Sequence, residues 1–326
     1  MKRIIIYSLV IMSAIGSMSC DKWLNGQVID FDLPDHTPVL TVYAFYAAGQ
    51  NIVDTRVGSS VSILSQTQPQ PVEGVSLKLY ENDELLEAWT AEAIYIIDTF
   101  YWYVDPFAND TIYYIDSTFT YQHTLATNLS TDLDEYRLEV SAPGYETVSS
   151  TITVPKKATV TNVSFERDVP VSGQSNSWSG NIEDNGDKIR LTINDPAGEE
   201  NIYHIKFLFE YGDSTFSYFQ NEYLKTNEPG FSYDNGGFLL TDQYFDGQQR
   251  TLEFEKWYYE GDDQRPSKIQ VHVLAMPKPY ADFKTSLEKY WNAEYNPFAE
   301  PVILYSNIDN GLGLFSIHNP NIFILE

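Results

Sequence analysis

The sequence predicts a mainly β protein: an N-terminal β-sandwich, then a second β-rich domain with one short α-helix near the C-terminus. Three observations lead there. Apolar and polar residues alternate over most of the chain, as on strands with one buried face. Gly, Pro, Asn and Asp interrupt that alternation at short intervals, which gives tight turns instead of helical crossovers. The 24 Tyr, 18 Phe and 6 Trp supply mass for packed cores, although the net charge is −26.

The first element is MKRIIIYSLVIMSAIGSMSC. Lys2 and Arg3 precede an apolar run from Ile4 to Ile15. That run is shorter than the roughly 20 residues needed to cross a bilayer and suits the apolar region of a secretory signal. Residues 1–19 are therefore expected to be a signal peptide. Cys20 is the single cysteine, so an internal disulfide is excluded. Its place at the end of the signal resembles a bacterial lipoprotein processing site, with Ser17 where Leu is usual. The resemblance implies that Cys20 is lipidated, with palmitate among its acyl chains, and anchors the protein to the outer membrane. Two or more chains hold a protein stably. Residues 20–37 have no clear period and read as a lipidated tether.

Residues 38–157 form the first domain, an immunoglobulin-like or transthyretin-like β-sandwich. PVLTVYAFYA is apolar on both faces, as a buried strand would be. GVSLKLYENDELLEAW is a hairpin turning at Glu81–Glu84, and EYRLEVSAPGYETVSSTITVP is another, turning at Pro143-Gly144. Between them, residues 93–122 form an inserted aromatic hairpin whose halves echo each other, YIIDTF and YYIDSTF. It is either extra sandwich surface or an exposed binding finger. Trp102, with Tyr101, Tyr103, Tyr113 and Tyr114, is the expected ligand or partner site, because core packing explains these residues least and Tyr and Trp are enriched at binding hot spots.

Residues 158–326 form the second domain. KIRLTIND, NIYHIKFLFEYGD, RTLEFEKWYYEGDD and SKIQVHVLAM alternate as strands. In KPYADFKTSLEKYWNAEY, Tyr280, Phe283, Leu287 and Tyr290/Trp291 recur at helical spacing, which places Trp291 on the packed face of a helix. Val302–Tyr305 is expected to be a strand, with Asn310-Gly311 as a type I′ turn into a returning strand, Leu312–Ile317. Gly311 would supply positive φ, and Gly313 would admit a neighbouring backbone.

Chemistry is sparse by comparison. HExxH, paired CxxC, GxxxxGK[ST] and GxSxG are all absent, and no helix follows the glycines at 311 and 313 to make a phosphate loop. The five histidines show no ligand spacing. EDNGDK at 183–188 begins like a calcium loop but lacks the closing glutamate, so Asp184, Asn185 and Asp187 read as a β-turn. Trp89, Trp102, Trp178, Trp257 and Trp291 are candidates for a sugar-stacking platform. No catalytic residue, metal or cofactor is expected. Cleavage before Cys20 would remove Lys2 and Arg3 and take −26 to −28, which opposes binding to nucleic acid.

Several stretches together resemble one family: the Cys20 signal, VEGVSLKLYEND, LLTDQYFDGQ, FKTSLEKYW and, most specific, NPFAEPVILYSNIDNGLGLFSIHN. They are similar to the Bacteroidota lipoproteins grouped as domain of unknown function 4249, from about residue 20 to 319. The resemblance implies an envelope lipoprotein, on either face of the outer membrane. It also implies a partner role beside a TonB-dependent receptor, with a small-molecule or peptide ligand left open. The alternative is a structural or adhesive surface protein. Residues 93–122 stand apart from the family pattern.

Overall fold

The structure, a computed structural model, describes residues 36–62, 70–105, 110–171, 185–211, 217–218, 224–226, 230–234, 237–258, 265–294, 300 and 302–326. The strands are β1 (Leu40–Ala47), β2 (Ile52–Ser59), β3 (Val75–Glu81), β4 (Glu84–Ala91), β5 (Ile94–Asp105), β6 (Asp110–Thr124), β7 (Glu135–Ser141), β8 (Val148–Thr153) and β9 (Thr159–Pro170). They continue with β10 (Asn185–Asn194), β11 (Ile202–Glu210), β12 (Ser217–Tyr218), β13 (Leu224–Lys225), β14 (Phe231–Asp234), β15 (Gly237–Thr241), β16 (Gln249–Lys256) and β17 (Lys268–Met276). Helix α1 (Lys278–Glu294) and strand β18 (Leu312–Leu325) complete the chain.

Two sandwiches share one long sheet. That sheet has ten strands, ordered β14-β15-β11-β17-β18-β1-β2-β6-β5, with β12 beside β11. Sheet β4-β3-β7-β8 closes the first sandwich and sheet β13-β16-β10-β9 the second. Alternation sends Leu40, Val42, Leu77, Leu79, Leu138 and Val140 into the first core. Ile189, Leu191, Phe207, Phe209, Phe254 and Val271 fill the second. The hairpin at Asn82-Asp83 has positive φ at both residues (50° and 66°), the geometry of a type I′ turn.

The link near residues 155–158 separates the two cores, but the sheet does not break there. β18 pairs parallel with β1 from Leu312 to His318, then antiparallel with β17 from Asn319 to Leu325. Its Phe315 and Ile317 lie in the first core, while Phe323 and Leu325 pack on the second. Residues 308–317 thus add to the sandwich that the sequence confines to 38–157.

Four local readings are corrected. Val302–Tyr305 is not a strand, and β18 does not return along it. Instead the Asn307 side chain stands in for a neighbouring strand: its Nδ2 donates to Phe315 O at 2.8 Å and its Oδ1 accepts from Phe315 N at 2.9 Å. Positive φ falls on Asn310 (60°), not Gly311. A Cβ on Gly311 would lie 2.8 Å from Leu40 O, so close approach is what requires glycine there. Gly313 behaves as the sequence suggests and lets the Val42 backbone approach, at φ 119°. Asn185 and Asp187 lie in strand β10, not in a turn. Finally, helix α1 covers the outer face of the long sheet with Tyr280, Phe283 and Leu287 against Ile202, Leu274, Met276 and Leu314, but Tyr290 and Trp291 are exposed. They stand in the last turns of α1, beyond Leu287, the last helix residue that packs against that face.

Candidate functional site

The residues singled out at 93–122 do form a hairpin. β5 and β6 pair antiparallel from Ile94↔Thr120 to Asp105↔Asp110. β6 pairs with β2 only from Tyr121 to Thr124. Among the described residues the two strands therefore continue past the sheet as a ribbon about 35 Å long, at about 3.3 Å per residue. Such a ribbon is marginal by itself in water. Tyr101 is opposite Tyr113, and Phe100 opposite Tyr114. Trp102 falls at a break in register between Tyr101 and Tyr103, where one strand carries an extra residue. The side chains of Tyr101, Trp102, Tyr103, Tyr113 and Tyr114 lie outside the described residues, so only their places in the register are known.

The foot of the ribbon is anchored. Tyr121 is buried and donates its hydroxyl to Val72 O at 2.6 Å, and Thr120 Oγ1 donates to Thr55 O at 3.3 Å. Phe119 meets Tyr121 edge-on, with ring centroids 6.3 Å apart. Above this anchor Ile94, Tyr95 and Ile96 are exposed, Tyr95 by 61%. A cleft of about 620 Å³ opens beside Tyr95, lined by Ala91–Ala93 and Gln70–Gly74. A second, of about 750 Å³, lies across Gln70–Gly74 and reaches Ser59, Val61, Pro143 and Tyr145. Both volumes fall in the range of small-ligand sites. Among the described residues, Glu73 and Glu92 are the charged residues along them, with no Lys, Arg or His.

Sequence reasoning missed a carboxylate cluster in the second domain. Oxygens of Asp195, Asp242 and Asp246 lie within 4.8 Å of one another. Asp195 accepts from Tyr203 Oη at 2.6 Å and Gly247 N at 3.0 Å, Asp242 from Asn201 N at 2.6 Å, and Asp246 from Gly198 N at 2.7 Å. Burial raises the Asp242 pKa, and the nearby Asp195 and Asp246 charges add to that. These three oxygens could hold a hard cation, while their hydrogen bonds already clasp two loops together. Asp242 and Asp246 stand four apart in TDQYFDG, but the third member comes from a distant strand end that spacing cannot supply. Asp187, suspected of a calcium role, is buried and accepts from Tyr258 Oη at 2.6 Å and Asp168 N at 3.3 Å.

Among the described side chains, Trp89, Trp257 and Trp291 do not assemble into a platform. Trp89 is buried and stacks on His123 at 4.6 Å, Trp257 is half-buried, and Trp291 is exposed on α1. Trp178 and Cys20 lie outside the described residues. A search of curated proteins finds no match. The family model described as domain of unknown function (DUF4249) matches residues 27–321, nearly the whole β-rich body with the ribbon inside it. The chain belongs to the DUF4249 family.

Proposed function

We propose that this protein is a lipid-anchored, non-catalytic component of the bacterial outer membrane that binds a partner or ligand through the β5–β6 ribbon and the cleft at its foot. The observation that carries this is the ribbon itself. It runs beyond its last sheet partner and exposes Ile94, Tyr95 and Ile96 in succession. An apolar patch in that position marks an interaction site more often than a solvated surface. The signal ending at Cys20 supports the anchor, and the family resemblance supports a TonB-dependent outer-membrane transporter as the partner.

The test is a native pull-down with the tagged full chain from detergent-solubilised outer membranes. Stoichiometric enrichment of a transporter supports the reading, and recovery of the chain without one refutes that partner. A second reading, a structural or adhesive protein, is favoured by the outer edge of β5, which has no strand partner among the described residues. An unpaired edge is a template for further strands. Concentration-dependent self-assembly of the purified chain would distinguish it.

A further inference from the structure

We infer that β18 is a closing strand: neither core completes until it is in place, so the two cores fold together in one step. In the long sheet β18 is the strand between β17 and β1, and without it the sheet falls into two pieces. It runs from Leu312 to Leu325.

The first core needs it on two sides. Phe315 and Ile317 are fully buried there, and β1 would otherwise present an unpaired edge along Val42, Ala44 and Tyr46. The segment just before β18 seals the opposite sheet as well. Asp309 exchanges backbone hydrogen bonds with Ser149 at the edge of β8, with Asp309 N donating at 2.8 Å and Ser149 N at 3.4 Å.

The second core receives Phe323 and Leu325 from the same strand. The link between the cores is held by it too. Asn319 Nδ2 donates to Thr131 O at 2.9 Å and Pro155 O at 3.0 Å, and Asn321 Nδ2 donates to Ala158 O at 2.5 Å. Pairing Thr41 with Leu312 closes nearly the whole chain into one loop, a contact that costs entropy and forms late.

The test is pulse-labelled hydrogen exchange during refolding of the full chain, read at amides of β7, β10 and β18. The inference predicts that β7 and β10, one from each core, gain protection in the same kinetic phase as β18. Protection of β7 or β10 in a phase at least tenfold faster than β18 would overturn it. A cross-core variant sharpens the reading. Phe315→Ala, in the first core, slows protection of β10 in the second by the same factor as β7; slowing of β7 alone would also overturn the inference. Phe315→Leu serves the same comparison if the alanine chain does not refold.

Discussion

Gly313→Ala tests the seam between β1 and β18 most sharply. The glycine has φ 119°, a conformation that costs an L-residue about 1–3 kcal/mol. An added Cβ would stand 2.7 Å from the Val42 carbonyl carbon, nearer still to its oxygen, and 3.0 Å from Val42 N. These are backbone atoms of a strand paired on both sides, so they cannot swing aside. Overpacking of this kind costs about another 1–3 kcal/mol. Together the expected loss is about 2–6 kcal/mol, a large share of the roughly 5–15 kcal/mol that holds a folded domain. At about 2–4 °C per kcal/mol for a large domain, the melting temperature should fall by at least about 4 °C. Differential scanning calorimetry with near-ultraviolet circular dichroism measures it. Gly144→Ala is the control: its φ is 85° but no atom lies within 4 Å of the new Cβ, so strain acts alone. A Gly313→Ala chain no less stable than Gly144→Ala would refute the parallel register of β1 and β18.

Four further outcomes follow from the same structure. Asn307→Ala removes both hydrogen bonds to the buried Phe315 backbone and should cost about 2–6 kcal/mol in urea unfolding, at about 1–3 kcal/mol per orphaned group. Phe283→Ala, under helix α1, should cost about 3–5 kcal/mol, whereas Trp291→Ser should stay within about 0.5 kcal/mol because the ring is exposed. Burial, helped by the Lys206 and His272 charges, pulls the His318 pKa down to about 4. Its contribution is therefore fully present above the unfolded value of about 6.5 and is lost as pH falls toward 4, by up to about 3 kcal/mol. His318→Gln should flatten that part of the pH–stability curve relative to the parent, and an unchanged slope would remove the assignment. Cys20→Ala should release folded protein from the membrane fraction; retention at the parental level would end the lipid reading.

Local pattern made most of this fold legible. Strands such as β3, β7, β10 and β17 carry their own alternation, and turns such as Asn82-Asp83 and Pro143-Gly144 carry their own chemistry. Pairings across long separations were not legible. Nothing in LGLFSIHNPNIFIL shows that its first half faces β1 and its second half β17, because period 2 records a face and not a neighbour. The same limit explains Val302–Tyr305, where apolar composition suggested a strand while one asparagine side chain does the pairing. Trp291 shares the helical spacing of Tyr280 and Phe283, but spacing cannot tell where the helix stops packing on the sheet. At the candidate site, the hairpin and its aromatic content were readable from residues 93–122. Its anchored foot was not, since Tyr121 and Thr120 join the core through Val72 and Thr55, far along the chain.

The central claim is that the ribbon binds and the rest of the fold carries it. Replacing residues 97–117 with a short Gly-Ser turn removes the ribbon and spares the foot, including Phe119, Thr120 and Tyr121. The native pull-down is then repeated with this chain beside the parent, and both are melted. The account predicts a membrane-anchored protein within about 1 kcal/mol of parental stability that no longer captures its partner. Capture at the parental level, or loss of folding on removal of the ribbon, would contradict it.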